Sequence, residues 1–154
     1  MVHFKYEEIL DSLIDILMAE KTKEKKLQKV SEILKNNVHD VIWSGFYLTN
    51  EEEDLILGPY VGKPACIKIS PGEGVCGTAA LLMETKKVYD VSKFPGHIQC
   101  DEDAQSELVV PIIKNDVVYG VIDLDSDKIG NFTKEDQDFV ERVRDILVNT
   151  IDWK

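Results

Sequence analysis

Leu108-Val109-Val110-Pro111-Ile112-Ile113-Lys114-Asn115-Asp116-Val117-Val118-Tyr119-Gly120-Val121-Ile122-Asp123-Leu124-Asp125 is the stretch that decides the fold. Two strongly apolar runs meet at Asn115-Asp116, residue types that tolerate the backbone of a tight turn, so the segment predicts an antiparallel hairpin. Upstream, Val41 to Leu48, the acidic turn Thr49 to Asp54, and Leu55 to Gly58 predict another hairpin rich in aromatic and β-branched residues. Ile67-Lys68-Ile69 alternates as a short strand, and Lys86 to Val91 reads as one more. Between them the glycine segment Gly72 to Gly77 leads into a short helix over Thr78 to Glu84.

Both ends of the chain are helical in pattern. Tyr6, Ile9, Leu10, Leu13, Ile14 and Leu17 recur at helical spacing, and Leu27, Val30, Ile33 and Leu34 mark a second helix ending near Asn36-Asn37. At the far end Thr133 and Asp136 resemble a capping box ahead of the stripe Phe139, Val140, Val143, Ile146, Leu147 and Ile151. Two helices, three strands, a short helix, three strands and a terminal helix make an α+β domain. Its expected core is a mostly antiparallel sheet of about six strands covered by helices. The expected organisation is a single domain over 1–154, with N-terminal helices in 1–37, sheet and loops in 41–126, and a last helix in 133–152.

At 154 residues, 44% hydrophobic and 31% charged, the chain has material for one core without disulfide or metal staples. Eighteen basic against 29 acidic side chains give a formal charge of −11, which repels phosphate backbones and anionic lipid. Neither nucleic acid nor membrane is an expected partner. The apolar runs are too short to span a bilayer, and Met1 to Glu8 lacks the pattern of a secretory signal, so a cytoplasmic location is expected. Cys66, Cys76 and Cys100 are an odd number and are read as thiols first.

Several constellations could carry chemistry. Gly72 to Gly77 lacks the lysine and hydroxyl of a phosphate loop, and Glu73 opposes an anion, so a tight turn is the reading. Zinc could draw on His97, Cys100, Cys66 and Cys76, but no Cys-x-x-Cys pair is present and no metal is expected. The same cysteines suit redox chemistry, in which one thiolate attacks and a second thiol resolves the product. Cys100, within the long irregular segment Ser92 to Ser106, is the best-placed nucleophile, although Asp101, Glu102 and Asp103 beside it disfavour a thiolate. Asp123 and Asp125 share a strand face by the period of two, and Glu107 can approach them across the hairpin. Three acids there could hold an ammonium group, or keep one carboxyl protonated as a donor. Trp43 and Tyr47 also share a face, as core or as an apolar wall with a polar ring atom for a small ligand.

Trp43 to Leu48, Leu57 to Cys66, Gly74-Val75-Cys76-Gly77, Asp90 to Asp101, Ser106 to Pro111 and Asp123 to Ser126, in that order, closely resemble the free methionine-(R)-sulfoxide reductase family of GAF-fold enzymes. The resemblance implies reduction of free methionine-(R)-sulfoxide, with Cys100 as nucleophile, Cys66 resolving it as a Cys66–Cys100 disulfide, and Cys76 pairing or relaying in some relatives. It implies no bound cofactor, thioredoxin as external reductant, and a homodimer. Glu107, Asp123 and Asp125 match the family's substrate-site carboxylates, and Trp43 and Tyr47 the aromatics around the substrate's methyl end. Gln99 and Asp127 depart from the family's pattern, where alanine and proline are common. The rival reading is a GAF module that senses a small ligand and carries redox-responsive cysteines.

Overall fold

Asn115 and Asp116 both take left-handed backbone, φ 52° and 64°, the pair of conformations that a tight hairpin turn between right-twisted strands requires. The computed structural model describes residues 2–98 and 100–154, of Val2 and His3 the backbone only; Gln99, one departure from the family pattern, lies outside the described residues. The chain runs α1 (Val2–Met18), α2 (Lys23–Asn37), β1 (Val41–Thr49), β2 (Leu55–Val61), β3 (Lys68–Ile69), α3 (Gly74–Leu82), β4 (Lys86–Val88), β5 (Ser106–Lys114), β6 (Val117–Ser126) and α4 (Lys134–Thr150). The six strands form one sheet in the order β3-β2-β1-β6-β5-β4, every pair antiparallel. The apolar hairpin β5–β6 lies inside the sheet.

Alternation along the strands divides the core in two. Phe46, Leu108, Val110, Ile112, Ile122 and Leu124 point to one face and bury the stripes of α1, α2 and α4, including Leu13, Leu34, Val143 and Leu147. Trp43, Tyr47, Val109 and Val121 point to the other face, where α3 brings Val75, Cys76 and Ala79. Three helices thus seal one side completely, and one short helix with its loops covers the other.

Several boundaries differ from the sequence pattern: β2 runs on past Gly58 to Val61, and α3 and β4 differ for local reasons. α3 begins at Gly74 and absorbs the glycine segment into its first turn, because Gly74 N–H donates to Gly96 O and Gly77 N–H to Glu73 O. Gly74 sits at φ 60°, and a Cβ there would lie 3.0 Å from Ile98, so glycine lets helix and loop meet. β4 stops at Val88, since Asp90 accepts from Ser92 N–H and starts a 3-10 turn at Val91–Lys93. α2 ends at Asn37, as its pattern predicts, but the left-handed residue that follows it is Asp40, φ 53°, rather than Asn36 or Asn37. Among the described residues no helix is long and apolar enough to cross a membrane.

The expected capping box of α4 is present, Thr133 accepting from Asp136 N–H and Asp136 from Thr133 N–H. Asp136 does more than cap. It accepts from Tyr6 OH at 2.7 Å and lies 3.0 Å from His39 Nε2, tying α1 and the α2–β1 turn to α4. Tyr6 in turn stacks on Phe139, ring centroids 3.8 Å apart. Asp136→Ala removes the carboxylate half of the capping box and strands the buried Tyr6 hydroxyl. The expected loss is ~2–3 kcal/mol, a fall of roughly 5–10 °C in the thermal unfolding midpoint, checked by calorimetry.

Candidate active site

The second face of the sheet, apolar elsewhere, carries acids at its centre. The β5–β6 register sets Glu107 directly opposite Asp125, and the β1–β6 register sets Trp43 opposite Asp125 and Gly45 opposite Asp123. Three adjacent strands therefore contribute Trp43, Asp125 and Glu107 in a single row, with Asp123 one step along the same face. All three carboxyls are buried, at 7%, 4% and 8% exposure for Glu107, Asp123 and Asp125. Asp123 Oδ1 has no hydrogen-bond partner among the described residues.

α3 places the Cys76 thiol over this row, with Sγ 3.7 Å from Glu107 Oε2 as a weak donor. One ligand atom from each of Cys76, Glu107 and Asp123 lies within 4.8 Å of the others, a geometry able to hold a cation. Burial pushes the carboxyls of Glu107 and Asp125 well above the usual carboxylate range, and the neighbouring acids push them further. Asp123 is raised by burial too, opposed by hydrogen bonds from Glu107, Cys76 and Asp125. Burial, then the three carboxylates, holds Cys76 as a neutral thiol. The cluster is therefore a set of shared protons as much as a set of charges.

The aromatics flank the acids on the same face of the sheet. Trp43 Nε1–H donates to Lys63 O at 2.9 Å, and Tyr47 OH donates to Cys66 O at 2.9 Å. Their polar tips are thus taken up by the β2–β3 connection and leave only apolar ring surface for a ligand. Gly62, at φ 138°, passes the Trp43 ring so closely that a Cβ would lie 2.6 Å from Cδ1. Trp43 also stacks on Tyr60, centroids 5.4 Å apart.

Cys66, so anchored, is joined to Cys100 in a disulfide, with Cα atoms 5.1 Å apart across 34 residues of sequence. The bridge withdraws both sulfurs from any four-ligand zinc site with Cys76 and His97 in this form. Cys100 comes from the long loop, which folds on itself through His97 N–H to Phe94 O and Ala104 N–H to Asp101 O. Of the acids that follow it, Asp101 faces the cavity, whereas Asp103 pairs with Lys63 and Glu102 is exposed. Cys66, Cys100, Cys76, the three carboxyls, Trp43 and Tyr47 converge on one small region. The space enclosed there is only about 30 Å³, room for about one water. The sequence offers His97 only as a zinc candidate. It lines this cavity with both ring nitrogens buried, and the signal was its place three residues before Cys100.

An antiparallel sheet with helices on one side and a small covered chamber on the other is the architecture of a GAF domain, and the GAF domain profile matches residues 24–151. Free methionine-R-sulfoxide reductase of Saccharomyces cerevisiae is 50% identical over 111 residues, 70% of this chain and 62% of that protein. The Escherichia coli protein of the same name is 40% identical over 132 residues, covering 83% and 79%. A structure of free methionine-R-sulfoxide reductase from Neisseria meningitidis in complex with its substrate superposes with a TM-score of 0.89 at 32% identity. The match covers 94% of this chain and 87% of that one. The chain belongs to the GAF family and, within it, to the free methionine-R-sulfoxide reductases.

Two outcomes test the site as described. Because burial raises the carboxyls, the folded chain keeps protons that the unfolded chain releases. Their stabilising effect is complete below the ordinary carboxylate range and is lost as pH rises toward the folded-state values. Glu107→Gln should therefore unfold at a higher temperature than the native protein at neutral pH, with the gap closing near pH ~4. A gap that does not change with pH would contradict this. In the disulfide form, iodoacetamide should leave the folded protein unlabelled and add a single label, on Cys76, after denaturation, read by mass spectrometry.

Proposed function

We propose that this chain reduces free methionine-(R)-sulfoxide to methionine through Cys100. The observation that carries the reading is the placing of Cys100, already bonded to Cys66, in one cavity with a buried, proton-holding row of carboxyls. Sulfoxide reduction needs those two things together, a sulfur nucleophile and an acid for the departing oxygen. With the disulfide reduced and the chamber open, the Cys100 thiolate attacks the sulfoxide sulfur while a carboxyl of the cluster protonates the oxygen. Methionine leaves and Cys100 becomes a sulfenic acid. Cys66 then attacks that sulfur, water departs, and the disulfide forms.

Glu107, Asp123 and Asp125 share two duties, donating the proton and holding the substrate's ammonium group. Trp43 and Tyr47 supply the apolar wall against the methyl end. Cys76, buried as a neutral thiol, acts as a hydrogen-bond donor to the cluster. A thioredoxin-type dithiol returns Cys66 and Cys100 to thiols, so the cycle invokes no bound cofactor and suits a reducing, cytoplasmic setting. Homodimeric assembly belongs to the same reading and is checked by light scattering.

NADPH oxidation coupled through thioredoxin should proceed with free methionine-(R)-sulfoxide, and not with the free S form or with an R-sulfoxide peptide. Cys100→Ser should abolish turnover, a loss of at least about a thousandfold. Cys66→Ser should release about one methionine per chain and then stop with thioredoxin. No turnover by folded, reduced native protein would favour the ligand-sensing module instead.

A further inference from the structure

His97 lines the cavity with both ring nitrogens shielded from solvent and no hydrogen-bond partner for either among the described residues. Buried polar atoms are almost always satisfied, so two orphans on one ring call for an absent partner. The wall on which the ring sits is well fixed. Its own N–H donates to Phe94 O, and the preceding Gly96 O accepts from Gly74 N–H, which pins this part of the loop to the first turn of α3. That turn faces the same cavity with leading amides that lack intrahelical partners. Opposite lie Glu107, Asp123 and Asp125, which repel an anion. No lysine or arginine lines the cavity among the described residues, so His97 is the one side chain there able to meet a carboxylate with an N–H and, when needed, a positive charge.

The geometry points to His97 as the residue that receives the α-carboxylate of a free amino-acid substrate. The inference rests on the reductase reading and adds a recognition element to it. A free amino acid carries ammonium, carboxylate and sulfoxide, and the acid row answers only the first and last. A residue within a peptide has no such carboxylate, so an imidazole reserved for it also selects against protein-bound sulfoxide. Burial favours neutral imidazole in the empty site, which still offers one N–H, and an arriving carboxylate supports the protonated ring.

The test compares free methionine-(R)-sulfoxide with (R)-3-(methylsulfinyl)propylamine, the same molecule without its carboxylate, using dithiothreitol as reductant. In His97→Leu, kcat/KM for the amino acid should fall about 10- to 100-fold, mainly through KM, while the value for the amine stays within about twofold. His97→Gln, which keeps a donor, should retain most of the native preference. Equal losses on both substrates, or none on the amino acid, would overturn the assignment. Should the leucine variant fail to fold, imidazole NMR of the reduced native protein decides. Methionine should shift the His97 ring resonances and 3-(methylthio)propylamine should not, and equal shifts with both would refute the inference. A native protein that turns over neither sulfoxide removes the reductase reading itself, a result distinct from either failure.

Discussion

Glu107 and Asp125 face each other across the β5–β6 ladder, and the rest of the site follows from that register. A slip of one residue in either strand would turn its acid to the helix-covered face, where Leu108 and Leu124 now pack, and would put a leucine in the chamber. The apolar hairpin with its Asn115-Asp116 turn is what holds the register. Three helices on one face give the strands no second way to bury their aliphatic side. The chemistry of the open face is thus fixed by the hydrophobic demands of the closed one.

Concentrating three carboxyls and a thiol in the interior works against stability. The solution is proton sharing, since neighbouring acids cannot all ionise away from water. Among the described residues the unpaired buried side-chain atoms are Asp123 Oδ1 and the His97 ring nitrogens, which line the chamber, and Ser44 Oγ on β1, which does not. Such groups are uncommon inside a well-packed domain, and two of these three residues meet at one cavity.

Much of this was legible in the sequence because it rests on local periodicity. The six strands, the pairing of Asp123 with Asp125 and the cap at Thr133 are each properties of residues a few positions apart. The approach of Glu107 could be anticipated because the hairpin joining it to Asp125 is short. What escaped were contacts made across long separations by backbone atoms. Trp43 and Tyr47 read as an apolar wall, but nothing in their spacing shows that their polar tips hold the carbonyls of Lys63 and Cys66. The start of α3 within the glycine segment depends on Gly96 O, a partner more than twenty residues away. His97 reads as a metal ligand or a neighbour of Cys100, and only the three-dimensional cavity shows that its ring has no hydrogen-bond partner among the described residues.

The disulfide joins two different walls of the chamber, the β2–β3 connection at Cys66 and the long loop at Cys100, and leaves only about 30 Å³ inside. A single covalent bond therefore ties the two walls together as well as recording the oxidation state. In the proposed cycle the oxidised chain has no room for another sulfoxide, so abundant substrate cannot obstruct the dithiol that must reach the bridge. The two reactants take turns at one doorway, and neither competes with the other for it.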